Sequence, residues 1–415
     1  MPSSPLEIRC LWLELLSLSV YRSVLRRPVT SALTALIAAA ARGDDAALCD
    51  GWGNLCALLA DTGSLDSLPA AVAGEVLQDA NPYTRCLAAG SIPTPSLQQA
   101  AERDLDILYR AASLPHDQLL EGADPAAAGL PRWGFAPAPS PLALPWREAG
   151  EALAAYHRLN GCGLFAGHPA FLWRQGCLTV VEHLDPIRLR DLKDYEAQRR
   201  TAIDNTLAFL DGYEANNMLL YGDRGTGKSS TVKALLNEYA DRGLRMVEMP
   251  KEALGQLPEL TGQLSHVPMK FIVFIDDLSF SGNDDHFAAL KAALEGGLAA
   301  RPANVLIYAT SNRRHLLRET FSDRQGDEIH HADTVQEAVS LSDRFGISLT
   351  FLLPDKQHFL QIVEQIARDR GLQVERQTLL DAAERWALDR GGRSPRYARQ
   401  FIADAEARLG RGESL

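Results

Sequence analysis

A single eight-residue run constrains this chain more than any other feature of its sequence. Residues Gly222 to Ser229 read Gly-Asp-Arg-Gly-Thr-Gly-Lys-Ser and fit the pattern G-x-x-x-x-G-K-[ST] in full. An apolar stretch, Met218 to Tyr221, precedes the run, and a helical stretch, Ser229 to Ala240, follows it. A strand, a glycine loop and a helix in this order gather backbone N–H groups and a helix N-terminus around phosphate groups. The run therefore predicts a site for a nucleoside triphosphate.

Each part of this run has a predicted task. Lys228 is expected to reach the β- and γ-phosphates, and the Ser229 hydroxyl is expected to complete the coordination shell of Mg²⁺. The cofactors implied are therefore ATP and Mg²⁺. A plain glycine turn is the alternative interpretation, and the flanking strand and helix argue against it. The residues predicted to bind the nucleotide are Gly222, Asp223, Arg224, Gly225, Thr226, Gly227, Lys228, Ser229 and Ser230.

A pair of acids forms the second feature. The apolar stretch Phe271 to Ile275 runs directly into Asp276 and Asp277. A strand that ends in a carboxylate beside the phosphate loop is where Mg²⁺ needs one, so Asp276 is predicted on the metal side, acting mostly through water. Asp277 is predicted to orient or deprotonate the attacking water. The alternative is that the two acids only end a strand and cap a helix.

A polar triplet follows another buried strand. The stretch Val305 to Ala309 is apolar, and Thr310 to Asn312 comes next. Ligands of open α/β sheets bind at the carboxyl edge of the strands, so the triplet places hydroxyl and amide groups at that edge. Asn312 is predicted to position the attacking water or to contact the γ-phosphate. As an isolated residue, this Asn would instead be interpreted as part of a turn.

Apolar runs without alternation recur through the second half of the chain. They are Met218–Tyr221, Arg245–Met249, Phe271–Ile275, Val305–Ala309 and Ile347–Leu353. Continuous hydrophobicity indicates strands buried on both faces, and their alternation with helical stretches predicts a parallel sheet covered by helices. Helical stretches alone follow Pro354, over Lys356–Arg370, Arg376–Ala387 and Pro395–Leu409. The predicted fold class is α/β with a C-terminal helical lid.

The first part of the chain differs from the second half in composition and in the spacing of its apolar residues. Residues 1–130 are rich in Ala and Leu, contain no lysine and show helical spacing, which predicts a small all-helical domain. The proline-rich stretch from Ala136 to Pro145 cannot stay helical and is interpreted as a linker, and a strand pair is predicted around Phe171 to Val181. The predicted domains are 1–135 (N-terminal helical domain), 136–184 (linker and small connector), 185–354 (P-loop core) and 355–415 (helical lid).

Composition indicates which classes of partner and which cellular compartment to expect. The net charge of −11 argues against a broad electrostatic grip on nucleic acid, which needs clustered Lys and Arg. No apolar run is long enough to span a membrane, and the acidic Glu7 and Glu14 near the apolar N-terminus argue against a secretory signal. The six cysteines form no Cys-x-x-Cys pair and are interpreted as small buried thiols. The expected location is the reducing cytoplasm.

Together these motifs resemble an AAA+ ATPase over roughly residues 185–410. The resemblance narrows to one bacterial family described only as an ATPase domain of unknown function, so it implies a mechanism without naming a substrate. It also implies five core strands in the order 5-1-4-3-2. The stretches that carry the narrower resemblance are Asp185–Leu189, Asn205–Thr206, Gly222–Ser230 and Ser340–Gly346.

The resemblance implies roles for two arginines as well. Arg344 stands where an arginine finger is expected, and would reach the γ-phosphate held by a neighbouring subunit of a ring-like homo-oligomer. Arg396 matches the second sensor of AAA+ enzymes, and Arg393 is the other candidate for that role. Ordinary surface charges are the alternative interpretation of Arg344 and Arg396.

One position departs from the AAA+ pattern. AAA+ enzymes usually carry Asp-Glu at the end of the acid-bearing strand, whereas this chain has Asp276 followed by Asp277. The shorter side chain retracts the carboxylate by about 1.5 Å, and a misplacement of that order can slow a reaction about a hundredfold. Some helicase-loader and transposition-helper ATPases resemble this chain in having the Asp pair, so hydrolysis is expected to be slow and switch-like.

Three functional hypotheses follow from these motifs. The first is an AAA+ ATPase that remodels a protein partner recognised by the N-terminal domain. The second is a helicase-loader-like ATPase that acts on a nucleic-acid-bound partner, and the third is an ATP switch without hydrolysis. A small-molecule kinase is disfavoured because its lid would be inserted within the sheet domain. The candidates for a basic surface are Arg188, Arg190, Arg199, Arg200, Arg313, Arg314 and Arg318.

Overall fold

The computed structural model describes residues 5–124, 127, 129–143, 145–278, 289–291, 294, 302–312 and 344–415. The chain divides into two compact units, Met1–Gly167 and His168–Leu415. The boundary falls inside the segment 136–184, which the sequence assigned to a linker and connector. Some residues singled out above lie outside the described ranges, namely Arg313, Arg314, Arg318 and the stretch Ser340 to Asp343.

The regular elements described in the first unit are helices, as its composition and spacing predict. The α-helices are α1 (Pro5–Leu16), α2 (Pro28–Arg42), α3 (Asp45–Asp61), α4 (Leu68–Leu77), α5 (Pro82–Ala88), α6 (Pro95–Ala112), α7 (His116–Leu119) and α8 (Gly150–Asn160). Proline stands in the first turn of α2, α4, α5 and α6, where its missing N–H leaves no hydrogen bond unmade. Side chains cap the starts of several helices; Ser67, for example, accepts from the N–H of Ala70 before α4.

The proline-rich stretch packs into the first unit. Ala138 and Leu142 are buried in the same hydrophobic core as Trp146. The carbonyl oxygen of Ala136 accepts a 2.5 Å hydrogen bond from the hydroxyl of Ser67. Prolines prevent a helix in this stretch but do not prevent burial. Composition therefore suggested a linker where the structure has a stretch whose described residues contribute to the core.

One seven-stranded sheet forms the framework of the second unit, in the order β2-β1-β4-β5-β6-β3-β7. The strands are β1 (Ala170–Arg174), β2 (Cys177–Val180), β3 (Met218–Gly222), β4 (Leu244–Glu248), β5 (Lys270–Ile275), β6 (Val305–Ser311) and β7 (Ile347–Phe351). Neighbouring strands pair in parallel except β1 and β2, which form an antiparallel hairpin. With β3 to β7 counted as the core strands, their order is the predicted 5-1-4-3-2, which is confirmed.

The strand pair predicted in the connector belongs to this sheet. β1 lies beside β4, with Phe171 opposite Val247, and so extends the sheet past β4, the second core strand. Phe171 and Trp173 are buried, and the indole N–H of Trp173 donates to the side-chain oxygen of Gln256. The hairpin β1–β2 accounts for the two strands beyond the five that the resemblance implied.

Helices flank the sheet and brace its central strands. They are α9 (Glu196–Leu210), α10 (Lys228–Tyr239) and α11 (Leu257–Ser265). Strands β5 and β6 are buried along nearly their whole length, as apolar runs without alternation predict. The hydroxyl of Tyr308 on β6 lies 2.9 Å from both Nδ2 of Asn205 and Oγ1 of Thr206. This buried network gives the Asn205–Thr206 stretch a structural role between α9 and the sheet.

Three helices follow the last strand and form the predicted lid. They are α12 (Lys356–Asp369), α13 (Arg376–Asp389) and α14 (Pro395–Gly410). The lid has its own hydrophobic cluster, in which Phe359 and Ile402 are fully buried. Side chains cap the first and last of these helices: Asp355 accepts from the N–H of His358, and Ser394 accepts from the N–H of Tyr397.

The exposure of the cysteines differs from what the sequence predicts. All six cysteines are free thiols, and none is buried; Cys10, Cys49 and Cys177 are exposed. The interpretation as small buried thiols is therefore wrong. The three exposed cysteines lie on α1, on α3 and at the start of the edge strand β2.

Within the described ranges, no helix combines the length and the apolar character that crossing a bilayer requires.

Candidate nucleotide-binding site

The loop after β3 keeps its backbone in conformations that glycine adopts most easily. Gly222, Gly225 and Gly227 have φ angles of 131°, 78° and 97°. At Gly222 the space is closed as well, because a Cβ atom there would lie 2.0 Å from the carbonyl oxygen of Phe351. The N–H of Asp223 donates to that same oxygen at 2.8 Å. Glycine therefore allows the loop to begin directly against the end of β7.

Asp223 fixes the loop through two further contacts. Its carboxylate accepts a 2.7 Å hydrogen bond from the N–H of Leu353, and its carbonyl oxygen accepts one of 2.8 Å from the hydroxyl of Thr226. Leu353 lies between β7 and α12. The phosphate loop is thus attached to the junction between the sheet and the lid.

Lys228 opens α10 and turns its side chain back over the loop. Its Nζ donates to the carbonyl oxygens of Gly222 and Asp223, at 2.9 and 2.6 Å, and to Oδ1 of Asn312 at 3.3 Å. The residue is only 6% exposed. Burial lowers the pKa of the ammonium group to about 8, against the opposing effect of nearby carboxylates. A cation held in this way is placed to meet anionic oxygen atoms.

Three donors converge on one oxygen of Asp276. Its Oδ1 accepts hydrogen bonds from the hydroxyl of Ser229 at 2.6 Å, the hydroxyl of Thr310 at 2.5 Å and the N–H of Asp277 at 3.1 Å. The donors come from α10, from β6 and from the turn after β5. The fold therefore brings Ser229 and Asp276, the two residues predicted on the metal side, into direct contact.

Asp277 has an unusual backbone conformation. Its φ angle is 51°, in the left-handed region, which costs a residue with a side chain about 1–2 kcal/mol. Its N–H donates to the hydroxyl of Thr310 at 3.0 Å, and its Oδ1 accepts a 2.6 Å hydrogen bond from Nδ2 of Asn312. Strained conformations of this kind persist where the surroundings over-determine them, and they are concentrated at functional sites.

These groups open onto a cavity of about 510 Å³. Its walls come from the phosphate loop, the ends of β5 and β6, the segment before α9 and the first turns of α14. The cationic residues that line it are Lys193, Arg199, Arg224, Lys228, Arg396 and Arg399, and the carboxylates are Asp194, Asp276 and Asp277. In a chain with a net charge of −11, this is a locally cationic site, matched in sign to a polyanion.

The segment before α9 forms a wall that the sequence did not indicate. Asp194 and Tyr195 both have left-handed backbones, with φ angles of 67° and 59°. The hydroxyl of Tyr195 donates to the carbonyl oxygen of Leu352 at 2.5 Å, and its ring packs on Phe351 with centroids 4.9 Å apart. Burial raises the pKa of the Tyr195 phenol well above its usual range, so the hydroxyl remains a donor.

The same segment is attached to the lid. Arg399 on α14 donates to the carbonyl oxygen of Asp191 at 2.9 Å. Lys193 forms a salt bridge with Asp369 at the end of α12, with 2.5 Å between the charged atoms. The first and last helices of the lid are therefore both connected to this wall of the cavity.

Helix α14 also meets the phosphate loop, at Gly225. The N–H of Arg396 donates to the carbonyl oxygen of Gly225 at 3.2 Å, and a Cβ atom on Gly225 would lie 2.9 Å from Oγ of Ser394. Arg396 lines the cavity. Arg393 does not line it and instead makes two hydrogen bonds to the carboxylate of Glu384 on α13. Of the two arginines considered for the second sensor, the geometry favours Arg396.

Arg344 lies at the amino ends of the strands, whereas the phosphate loop lies at their carboxyl ends. It precedes β7, whereas the phosphate loop follows β3, and these two strands are parallel neighbours. Arg344 is not among the residues that line the cavity. A role for this guanidinium at a phosphate group therefore needs the cavity of a second copy of the chain.

The residues fit a triphosphate with Mg²⁺. A Cβ atom added at Gly227 would meet no atom within 4 Å, so there is open space beside the loop at this position. The hydroxyl of Ser229 and the carboxylate of Asp276 supply hard oxygen atoms of the kind Mg²⁺ prefers. In nucleotide sites this ion takes most of its remaining ligands from phosphate oxygens and water.

The cavity lies inside the part of the chain that matches a known family. Residues 166–409 match the family described as "Protein of unknown function (DUF815)". The match covers more than half of the 415 residues. The chain belongs to the DUF815 family. A search of curated proteins gave no match.

Several solved structures resemble this DUF815 protein in fold. The Holliday junction branch migration motor RuvB from Thermotoga maritima is 16% identical, covering 55% of this chain and 66% of its own, at a TM-score of 0.39. AMPPCP-bound DnaA from Aquifex aeolicus is 17% identical, covering 54% and 67%, at 0.39. A DNA replication initiation factor is 17% identical, covering 56% and 69%, at 0.36. At such distances the likeness concerns the fold alone.

The second unit of the DUF815 protein has the AAA+ fold. The decisive features are its own: the strand order β7-β3-β6-β5-β4, the phosphate loop after β3 and a helical lid after β7. This confirms the fold expected from the sequence. The additional hairpin β1–β2 is a feature of this chain beyond the five core strands.

The DUF815 chain brings most of the predicted site residues to one place. Around the cavity stand Lys228, Ser229, Asp276, Asp277, Asn312, Arg396 and the loop residues 224–230. Gly222 and Asp223 are not lining residues and instead contact Lys228 from the base of the loop. Arg344 and Arg393 also lie away from the cavity.

Among the lining residues, Tyr195 and Arg399 were not singled out from the sequence. Thr310 was expected at this edge of the sheet as part of the polar triplet, but without a task of its own. Tyr195 and Arg399 have no local signal. They reach the cavity only because the fold brings the start of α9 and the lid together at its wall.

Proposed function

We propose that this protein binds Mg·ATP in the cavity of its second unit and hydrolyses it. The observation that carries the proposal is the convergence of Lys228, Asp276, Asp277 and Asn312 on one cationic cavity. The cavity volume of about 510 Å³ lies within the range of about 300–1,000 Å³ that small-molecule sites occupy. Bound Mg²⁺ would neutralise charge on the phosphate groups.

The contacts of each side chain support a separate task. The hydroxyl of Ser229 donates a hydrogen bond to Asp276, which leaves the lone pairs of the serine oxygen available to a cation. Asp277, held by Asn312, orients the attacking water or accepts its proton. Lys228 and Arg396 face the cavity as cations that stabilise negative charge on phosphate oxygens.

The length of the Asp277 side chain favours slow hydrolysis over fast turnover. Its carboxylate is retracted from that of the usual Glu by about one C–C bond, roughly 1.5 Å. The amide of Asn312 orients this carboxylate through Oδ1 at 2.6 Å but does not make up for the missing length. The retraction disfavours rapid proton transfer from water. We therefore place this ATPase nearer to a switch than to a processive motor.

We infer that the ATPase works as a ring-like homo-oligomer in which Arg344 completes the site of a neighbouring subunit. Its position at the sheet edge away from its own cavity supports this arrangement. An arginine supplied by a neighbour would stabilise transition-state charge only after assembly. The all-helical first unit would then bind the protein partner that the ATPase remodels or switches.

Three of the four described arginines considered for a nucleic-acid surface make hydrogen bonds within the chain, and the fourth, Arg190, is exposed and lies 3.9 Å from the carboxylate of Asp191. Arg188 donates to the carbonyl oxygen of Asn237, and Arg200 contacts the carboxylate of Asp204. Arg199 donates to a backbone oxygen of the cavity wall. These contacts, together with the net charge of −11, give the helicase-loader-like alternative no separate support.

Calorimetry with purified protein tests the binding proposal. Wild type titrated with Mg·ATP should release or absorb heat, and Lys228→Ala should abolish the signal. Lys233→Ala is the matched control, because Lys233 lies on the same helix and is not a lining residue. No heat for wild type, or an unchanged signal in Lys228→Ala, would reject the proposal.

Two further measurements test hydrolysis and the partner. Phosphate release with enzyme in excess over ATP should be detectable for wild type and lost in Asp277→Ala; equal rates would exclude Asp277 as the base. Asp277→Asn in the presence of ATP should retain a partner in a pull-down. Lys228→Ala, which cannot hold ATP, should not retain that partner.

A further inference from the structure

One buried hydroxyl contacts both acids of the site. Thr310 lies on β6 and is 1% exposed. Its Oγ1 donates to Oδ1 of Asp276 at 2.5 Å and accepts from the N–H of Asp277 at 3.0 Å. Its backbone carbonyl accepts from the N–H of Leu278 at 2.7 Å. Thr310 therefore holds three successive residues of the turn after β5.

We propose that Thr310 is a positioning residue for the hydrolysis of Mg·ATP, whose hydroxyl sets the carboxylate of Asp276 and the backbone of Asp277. The inference rests on the proposed function, because it concerns the same site. Thr310 acts through the two acids and is not assigned a contact with the reacting atoms.

The first effect of the hydroxyl is on Asp276. Oδ1 of Asp276 accepts from both Thr310 and Ser229, so the carboxylate is fixed between β6 and α10. This orientation directs the proton of Ser229 towards the carboxylate and leaves the serine oxygen lone pairs for a cation. Without the hydroxyl of Thr310, the carboxylate keeps fewer contacts and can rotate away from Ser229. We therefore expect the affinity for Mg²⁺ to depend on residue 310.

The second effect is on Asp277. This residue has a left-handed φ angle of 51°, a conformation that only a few per cent of residues with a side chain adopt. The acceptor for its N–H in that conformation is the Thr310 hydroxyl, with Oδ1 of Asp276 as the other partner. Loss of that acceptor allows the turn to relax and moves the carboxylate of Asp277 from the position where Asn312 holds it.

Two substitutions separate the hydroxyl from the shape of the side chain. Thr310→Val keeps the β-branched shape that suits a buried strand and removes the hydroxyl. Thr310→Ser keeps the hydroxyl and removes a methyl group. Thr350→Val is the matched control, because Thr350 is a strand residue of the same sheet whose hydroxyl donates to Tyr221 and not to the acids.

The experiment measures nucleotide affinity with and without Mg²⁺, using a fluorescent ATP analogue, and phosphate release in a single turnover. For Thr310→Val we expect the gain in affinity on adding Mg²⁺ to fall about tenfold and the single-turnover rate to fall about a hundredfold. Affinity without Mg²⁺ should match wild type. Thr310→Ser should restore both quantities, and Thr350→Val should leave both unchanged.

The outcomes distinguish this inference from the proposed function. If wild type hydrolyses Mg·ATP and Thr310→Val does so equally well, the hydroxyl has no positioning role and the inference fails alone. The same follows if Thr310→Ser is as impaired as Thr310→Val, since the missing methyl group would then be the cause. A wild type that neither binds nor hydrolyses Mg·ATP would overturn the proposed function and this inference together.

Discussion

The side-chain amide of Asn312 donates a 2.6 Å hydrogen bond to Oδ1 of Asp277. The two residues follow neighbouring parallel strands, β6 and β5, so their contact is a direct consequence of the sheet order. We expect Asn312→Ala to lower the single-turnover rate about a hundredfold, because Asp277 loses the contact that orients it. The affinity for Mg·ATP should fall by no more than about tenfold, as for one neutral hydrogen bond.

Phosphate release with excess enzyme and calorimetry provide the two numbers for this prediction. A faster rate in Asn312→Ala would show that Asn312 restrains Asp277 and does not prepare it. An equal fall in rate and in affinity would place Asn312 in nucleotide binding alone.

ATP binding should weaken as the pH rises above about 8. Burial lowers the pKa of Lys228 to about 8, so above that value the nucleotide-free protein increasingly carries a neutral amine. Phosphate groups bind the charged form and raise its pKa, so binding takes up a proton between the two pKa values. Calorimetry in buffers of different ionisation enthalpy measures this uptake. Lys228→Arg, whose guanidinium stays charged, should bind without proton uptake; a pH-independent wild type would contradict the prediction.

Gly222→Ala should destabilise the protein more than Gly212→Ala. Both glycines have positive φ angles, 131° and 87°, but only at Gly222 would a methyl group meet another atom closely, the carbonyl oxygen of Phe351 at 2.0 Å. Gly212→Ala should cost about 1–2 kcal/mol of unfolding free energy from its backbone alone. Urea denaturation compares the two. Gly222→Ala should also lose Mg·ATP binding; similar stabilities and intact binding in both variants would refute the steric argument.

Arg396→Ala and Arg393→Ala should separate the two sensor candidates. Arg396 lines the cavity, whereas Arg393 pairs with Glu384 within the lid. Removing the cation at 396 should weaken Mg·ATP binding or slow hydrolysis by about tenfold or more, as for a charged hydrogen bond. Arg393→Ala should change neither and lower only the stability of the lid. The reverse ranking, read from calorimetry and phosphate release, would assign the sensor to Arg393.

Mixing two inactive variants should restore activity if Arg344 acts on a neighbouring subunit. Arg344→Ala and Asp277→Ala should each be inactive alone, but a mixed oligomer contains interfaces where an intact Asp277 meets an intact Arg344. The control mixture is Lys228→Ala with Asp277→Ala. Each of these variants damages the cavity of its own chain, so every cavity of the mixed oligomer stays damaged and the mixture should stay inactive. Full activity of a dilute monomeric wild type would contradict assembly as a requirement.

The residues of the phosphate loop could be predicted because the motif is contiguous. Gly222 to Ser229 carries its whole signal in eight positions, and Asp276 and Asn312 follow strands whose ends must meet at one sheet edge. The sheet order then followed from resemblance and is confirmed. Local chemistry and strand order were sufficient for this half of the site.

The other wall of the cavity could not be predicted in the same way. Tyr195 and Arg399 are distant in sequence, and each looks like an ordinary surface residue until the fold brings the lid and the start of α9 together. The left-handed backbones of Asp194 and Tyr195 could not be predicted from the sequence either, because neither residue is a glycine. Composition also misjudged the proline-rich stretch, because prolines report on backbone geometry and not on burial.

The contact between Arg396 and Gly225 has a consequence for exchange of the bound molecule. The last helix of the lid is joined to the phosphate loop through main-chain atoms, an N–H and a carbonyl oxygen. An outward movement of α14 would break this hydrogen bond and remove the lid from the phosphate loop at the same time. A partner that binds the outer surface of the lid could therefore change how long a nucleotide stays bound, without contacting the nucleotide.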